Sequence, residues 1–211
     1  MLGANDGIVS TASLIVGVAA ASQGRTEIMI AGVAGLVAGA MSMAAGEYVS
    51  VSSQADTEAA DLAREATELK NQPELELNEL AEAYVARGVT PELARQVAIQ
   101  LTARDAIGAH ARDELGLSQM TTARPVQAAL TSAITFAVGA ALPLAAAALS
   151  PAAMIVPAVS AASILFLALL GGVGAKAGGA PAWKAVVRVT FWGAAAMAIT
   201  AGVGLLFGVA A

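Results

Sequence analysis

Glu65 and Glu68 stand three residues apart, and Glu76 and Glu79 repeat that spacing. On a helix, residues at i and i+3 project from one face, so each pair can offer carboxylate oxygens to a shared cation. His110 and Glu114 follow at i and i+4, with Asp113 beside them. Carboxylates with one imidazole suit Fe2+, Mn2+ or Zn2+, and spacing does not choose among these ions. A solvated helix face presents Glu-x-x-Glu just as readily, so on spacing alone the ligand and surface readings both stand.

Two further groups fall in apolar surroundings. Asp6 sits in an otherwise apolar run. A carboxylate inside a bilayer costs at least about 2.5 kcal/mol and therefore faces a bundle interior or an aqueous path; at the headgroup level the same residue would simply cap a helix. Gly35, Gly39, Met43 and Glu47 recur at i+4 steps, which sets them on one stripe of a helix. The glycines admit a close neighbour, and below them come a thioether and then a carboxylate, a ladder that suits a transition-metal ion. Gly-x-x-x-Gly is also a common packing motif and Met a common gap filler.

The chain has no Cys and one His, which removes disulfides, thiolate metal sites and thiol nucleophiles. There is no nucleophile elbow and no phosphate-binding loop, and His110 lacks the Glu three residues before it that di-metal carboxylate enzymes use, so enzymatic function is not expected. The stretch from Gly171 to Gly179 reads as a connection. No prosthetic group is implied. Of the sixteen acidic residues, only Asp6 and Glu27 lie outside Glu47 to Glu114, and a chain this acidic is a poor partner for nucleic acid.

The elements that must position these residues are mostly spans. The 211 residues are 57% hydrophobic and 13% charged, with mean hydropathy +0.71, where a soluble domain carries about 25% charge. Five apolar runs are long enough for a bilayer core: 4–22, 28–50, 125–149, 152–173 and 183–209. The expectation is an all-α membrane protein of five transmembrane helices, with a three-helix, soluble, acidic insert between the second and third. Its divisions are 1–50, 51–120 and 121–211. In the insert, one helix continues from Val51 to about Gln72, a second runs from Pro73 to about Arg87 and is closed by Gly88, and a third runs from Thr90 and Pro91 to Leu115 before Gly116.

Basic residues favour the cytoplasmic side. Placing the insert there puts Arg124, Lys176, Lys184 and Arg188 inside and leaves only Arg25 outside, so the N-terminus is inside and the C-terminus outside. No cleavable signal is visible, and the first run starts so close to Met1 that a truncated or misassigned start is expected. The Ala-rich composition without a targeting segment points to a bacterial plasma membrane.

Gly3-Ala4-Asn5-Asp6-Gly7-Ile8-Val9-Ser10, Met43, Gly46-Glu47-Tyr48-Val49-Ser50 and Asp113-Glu114-Leu115-Gly116, with the acidic helices between, make the chain resemble the vacuolar iron transporter family over nearly its whole length. The resemblance implies a five-span homodimer exchanging Fe2+, and often Mn2+, for protons. It places a path at the dimer interface between first and second spans, and a cytoplasmic helical domain that gathers metal. It casts Asp6 and Met43 as intramembrane metal-site residues with Glu47 near the cytoplasmic end, and Glu65, Glu68, Glu76, Glu79 and Glu114 as the gathering set. Two departures stand out: His110 and Ala111 occupy positions where the family looks richer in Met and Glu, and the usual basic amphipathic segment before the first span is absent. The functional expectation is proton-coupled transport of Fe2+ or Mn2+; the alternative is a membrane-anchored metal sensor or storage adaptor that binds without transport.

Overall fold

The computed structural model describes residues 1–21, 24–117 and 123–209. Among these there are seven α-helices and no strand: α1 (Leu2–Ala21), α2 (Arg25–Asn71), α3 (Pro73–Ala86), α4 (Pro91–Asp113), α5 (Pro125–Leu149), α6 (Ile155–Ala177) and α7 (Ala182–Val209), with a 3-10 turn at Ala152–Met154 before α6. Helices α1, α2, α5, α6 and α7 are long and apolar enough to cross a membrane. Contacts divide the chain into two units, Met1–Tyr48 with Val126–Ala211, and Val49–Pro125. The expected insert end at residue 120 and first-span end at residue 22 lie outside the described residues.

In the first unit α1 is the central helix. It packs on α6 and α7, and 39% of its most apolar stretch is buried, against 11% for α2. Ala12, Ile15 and Val16 of α1 meet Ile28, Ala147, Ile155, Val159 and Met197 in one core. Gly7 makes a still closer approach possible: a Cβ there would strike the Phe136 carbonyl and the Ala140 nitrogen of α5. The Arg25 guanidinium donates to the carbonyls of Ser150, at 2.6 Å, and Ala148, so the start of α2 caps the end of α5 and satisfies oxygens that a helix end leaves unpaired.

The second unit is organised by prolines. Pro73 and Pro91 open α3 and α4 at the first helical turn, where a missing N–H costs nothing. Thr90 stands in the cap position of α4 but makes no side-chain capping bond. Where one continuous third insert helix was expected, Asp105 is extended (φ −164, ψ 87) and breaks α4 in two. Its Oδ1 accepts the Gly108 N–H at 3.0 Å, capping the second piece. Ala98 before the break and Ala109 after it share one cluster with Leu80 and Ala81 of α3. In a straight helix those alanines would be about 16 Å apart, so the break is what returns the end of α4 to α3.

Candidate metal centre

That return brings four donors together. Glu65 of α2, Glu76 of α3, His110 of α4 and Glu114 directly after α4 each offer one atom within 4.8 Å of the others. Glu65, Glu76 and His110 are 5%, 3% and 0% exposed. His110 Nδ1 lies 2.9 Å from Glu65 Oε1, 3.1 Å from Glu114 Oε1 and 3.9 Å from Glu76 Oε2. No hydrogen-bond partner from outside the cluster reaches Nδ1, Glu65 Oε1 or Glu114 Oε1. Donors at this separation are spaced as ligands are, since bonds of about 2.1 Å at near right angles set neighbouring donors about 3 Å apart.

The electrostatics ask for a cation. Arg64, Arg87 and Arg95 pair with Asp61, Asp113 and Glu74, none of which belongs to the cluster. Burial, with the charges of Glu79, Glu65 and Glu68, pushes the Glu76 carboxyl up to about 7. Burial also raises Glu114, against the opposing pull of His110. A divalent ion would reverse these shifts, because it stabilises ionised oxygens that the fold alone disfavours.

Each Glu-x-x-Glu pair is thus split. Glu65 and Glu76 turn inward, while Glu68 is half-buried and Glu79 exposed, and neither belongs to the converging set. Both lie near enough for their charges to raise Glu76.

In the first unit, Asp6, Ser10, Thr11, Leu14, Gly35, Gly39, Ser42, Met43 and Phe136 line an open pocket of about 230 Å³. The structure places Asp6 of α1 and Met43 of α2 on the same pocket, while Glu47 is exposed and outside its lining. Gly35 and Gly39 form its floor within the chain, because the Leu14 side chain and the Phe136 ring occupy the space their Cβ atoms would need.

The sequence model of the VIT family matches residues 1–205. This chain belongs to that family. As a VIT-family protein it is similar to a protein named vacuolar iron transporter from Acanthamoeba castellanii, 48% identical over 207 residues that cover 98% of this chain and 76% of the relative. Similarity also extends to proteins named vacuolar iron transporter homolog 1 from Oryza sativa subsp. japonica, at 42% identity, and from Arabidopsis thaliana, at 37%; each match covers 99% of this chain, with 72% and 81% of the relative.

What sequence reasoning missed in this VIT-family chain is the support of the cluster. Tyr84 donates to Asp113 Oδ2 at 2.8 Å, and Arg87 reaches Asp113 Oδ1 at 3.1 Å, tying α3 to the residue beside Glu114. Gly116, at φ +67, turns the chain so that the Leu117 N–H returns to the Ala111 carbonyl and closes α4 just past Glu114. Asp105 three residues before Gly108 was the available signal for the break, since Asp is a strong helix N-cap. Tyr84 carried no signal, because only the break brings it level with Asp113.

Proposed function

We propose that this chain transports a divalent metal ion, Fe2+ and also Mn2+, across the membrane in exchange for protons, removing the metal from the cytoplasm. The observation that carries this reading is the buried convergence of Glu65, Glu76, His110 and Glu114. Such a group gains a stable partner only from a cation. Glu68 and Glu79 add negative charge around it and attract the ion. The printed names of the relatives point to iron as cargo.

Asp6 and Met43 serve as the intramembrane stopping point, with Glu47 toward the cytoplasmic end. An Asp that loses its proton becomes a ligand and regains it when the ion leaves, which couples the two fluxes. Asp6 is exposed on the single chain, and a carboxylate left against lipid is costly. A symmetric dimer, with the poorly covered α2 at its axis, gives the pocket its missing wall. Residues 49–125 work in the cytoplasm and the C-terminus lies outside, in a bacterial plasma membrane; the proposal assigns the chain no catalysed reaction.

Binding without transport is the rival, and it is favoured by the completeness of the cluster within residues 65–114 alone. The pocket shared by Asp6 and Met43 favours transport. The test is metal uptake by sealed vesicles containing the purified protein under an imposed pH gradient. Fe2+ or Mn2+ entry matched by proton movement is expected, and binding with no entry would leave the sensor or storage reading.

A further inference from the structure

His110 is the one nitrogen donor in a set otherwise made of carboxylates. A buried histidine kept for packing normally has its ring nitrogens hydrogen-bonded. In His110 both Nδ1 and Nε2 are buried, Nε2 has no hydrogen-bond partner, and the polar atoms beside Nδ1 are the cluster's own carboxylate oxygens, so nothing outside the cluster holds the ring nitrogens. Its Nδ1 stands 2.9 Å from Glu65 Oε1 and 3.1 Å from Glu114 Oε1. An unprotonated Nδ1 so placed brings its lone pair to the same carboxylates that would share the ion.

We infer that His110 determines which divalent ion the cluster prefers, its Nδ1 bonding the metal directly and tilting the site from Mn2+ toward later ions such as Fe2+ and Zn2+. Oxygen-only sites suit Mg2+, Ca2+ and Mn2+, whereas imidazole raises affinity along the series toward Zn2+. Three carboxylates alone would attract any divalent ion by charge. The nitrogen is the one member of the set that adds chemical discrimination. This inference rests on the cluster being the metal-gathering site, and it goes further by naming the residue that sets selectivity.

The test uses the purified full-length chain, titrated with Mn2+ alone and Zn2+ alone against a chromophoric chelator. His110→Gln keeps a planar polar group of similar reach but removes the imidazole. Loss of a direct ligand should cost at least as much as loss of a residue that orients one, so Zn2+ affinity should fall by about 10-fold or more while Mn2+ affinity falls much less. Equal losses for both ions, or no loss for either, overturn the inference. Pulsed EPR of the wild-type chain loaded with Mn2+ alone provides a reading that does not depend on the variant folding. A coupling from a directly bound nitrogen is expected, and its absence overturns the inference. Glu65→Gln with Glu76→Gln separates the two levels of argument. If Mn2+ binding survives that pair, the cluster is not the site and both readings fall. If the pair removes Mn2+ binding but His110→Gln leaves the Zn2+ to Mn2+ ratio unchanged, only the role of His110 falls.

Discussion

The two candidate metal positions are built in opposite ways. In residues 49–125 the donors come from α2, α3 and the end of α4, three of the four are buried with Glu114 half-buried, and they converge within that unit. Among the spans, one carboxylate and one thioether share an open pocket, and the carboxylate is exposed. On the proposed function, the closed, multiply charged set holds the ion and the open pair with a single titratable group passes it. The contrast matches a division between gathering and translocation, and it states which residues should separate the two functions.

Asp6→Asn should produce the largest effect. It keeps the size and one oxygen but removes the titratable charge, so metal flux and proton flux in vesicles should both disappear. Metal binding at Glu65, Glu76, His110 and Glu114 should remain. If transport continues near the wild-type rate, Asp6 is a helix cap at the headgroup level and the coupling carboxylate must be sought at Glu47.

Glu76→Gln should reverse the pattern. Binding by the purified chain should weaken by about 100-fold, since loss of a direct ligand costs at least as much as loss of a residue that orients one, while the span pocket is untouched. Without metal this variant should melt no lower than wild type, because it removes a buried carboxylate whose ionisation is opposed by Glu65, Glu68 and Glu79. A lower melting temperature in metal-free buffer would show that Glu76 serves the packing of α3.

The pH dependence of the metal-free protein follows from the same residue. The Glu76 carboxyl is raised from 4.5 to about 7, so between those values the folded state holds a proton that the unfolded chain has released. Stability attributable to this group is therefore fully present below pH 4.5 and falls as pH rises to about 7. Glu114, raised in the same direction, adds to the fall. Unfolding of residues 49–125, followed by melting of the full chain with chelator present, should shift down across that window, and added Mn2+ should flatten the curve. A flat metal-free curve would mean that the carboxylates ionise freely.

How much of this was legible follows from what each feature depends on. Spans could be read because a bilayer demands length and apolarity of one continuous segment, as in α5 at 125–149. Pro73 and Pro91 marked helix starts because their effect is local. The donor residues were named for the same reason, since Glu-x-x-Glu is a statement about one helix. Which member of each pair turns inward was not legible. Glu65 and Glu76 are chosen over Glu68 and Glu79 by the packing of three helices, and that packing depends on the break at Asp105, where an extended residue interrupts what reads as unbroken helical sequence.

Tyr84→Phe should give the smallest effect and tests whether the support of the cluster matters separately from its ligands. The phenol oxygen of Tyr84 bonds Asp113 Oδ2, and burial, followed by that hydrogen bond and then the Asp113 charge, pushes the phenol above its ordinary pKa, so it stays a donor at neutral pH. Replacement by Phe removes one hydrogen bond and leaves the ring in place. Arg87 still holds Asp113 through its other oxygen at 3.1 Å, so the end of α4 is loosened and not freed. The expected cost is about 1 kcal/mol, the usual net value of one such bond. Because Glu114 follows Asp113 directly, part of that cost should appear as weaker metal binding, smaller than the loss from His110→Gln and without change in the preference between Zn2+ and Mn2+. Unchanged affinity with reduced stability would confine Tyr84 to holding α3 against α4. A change in metal preference would mean that the position of Glu114, and not the nitrogen of His110 alone, shapes the selectivity of the site.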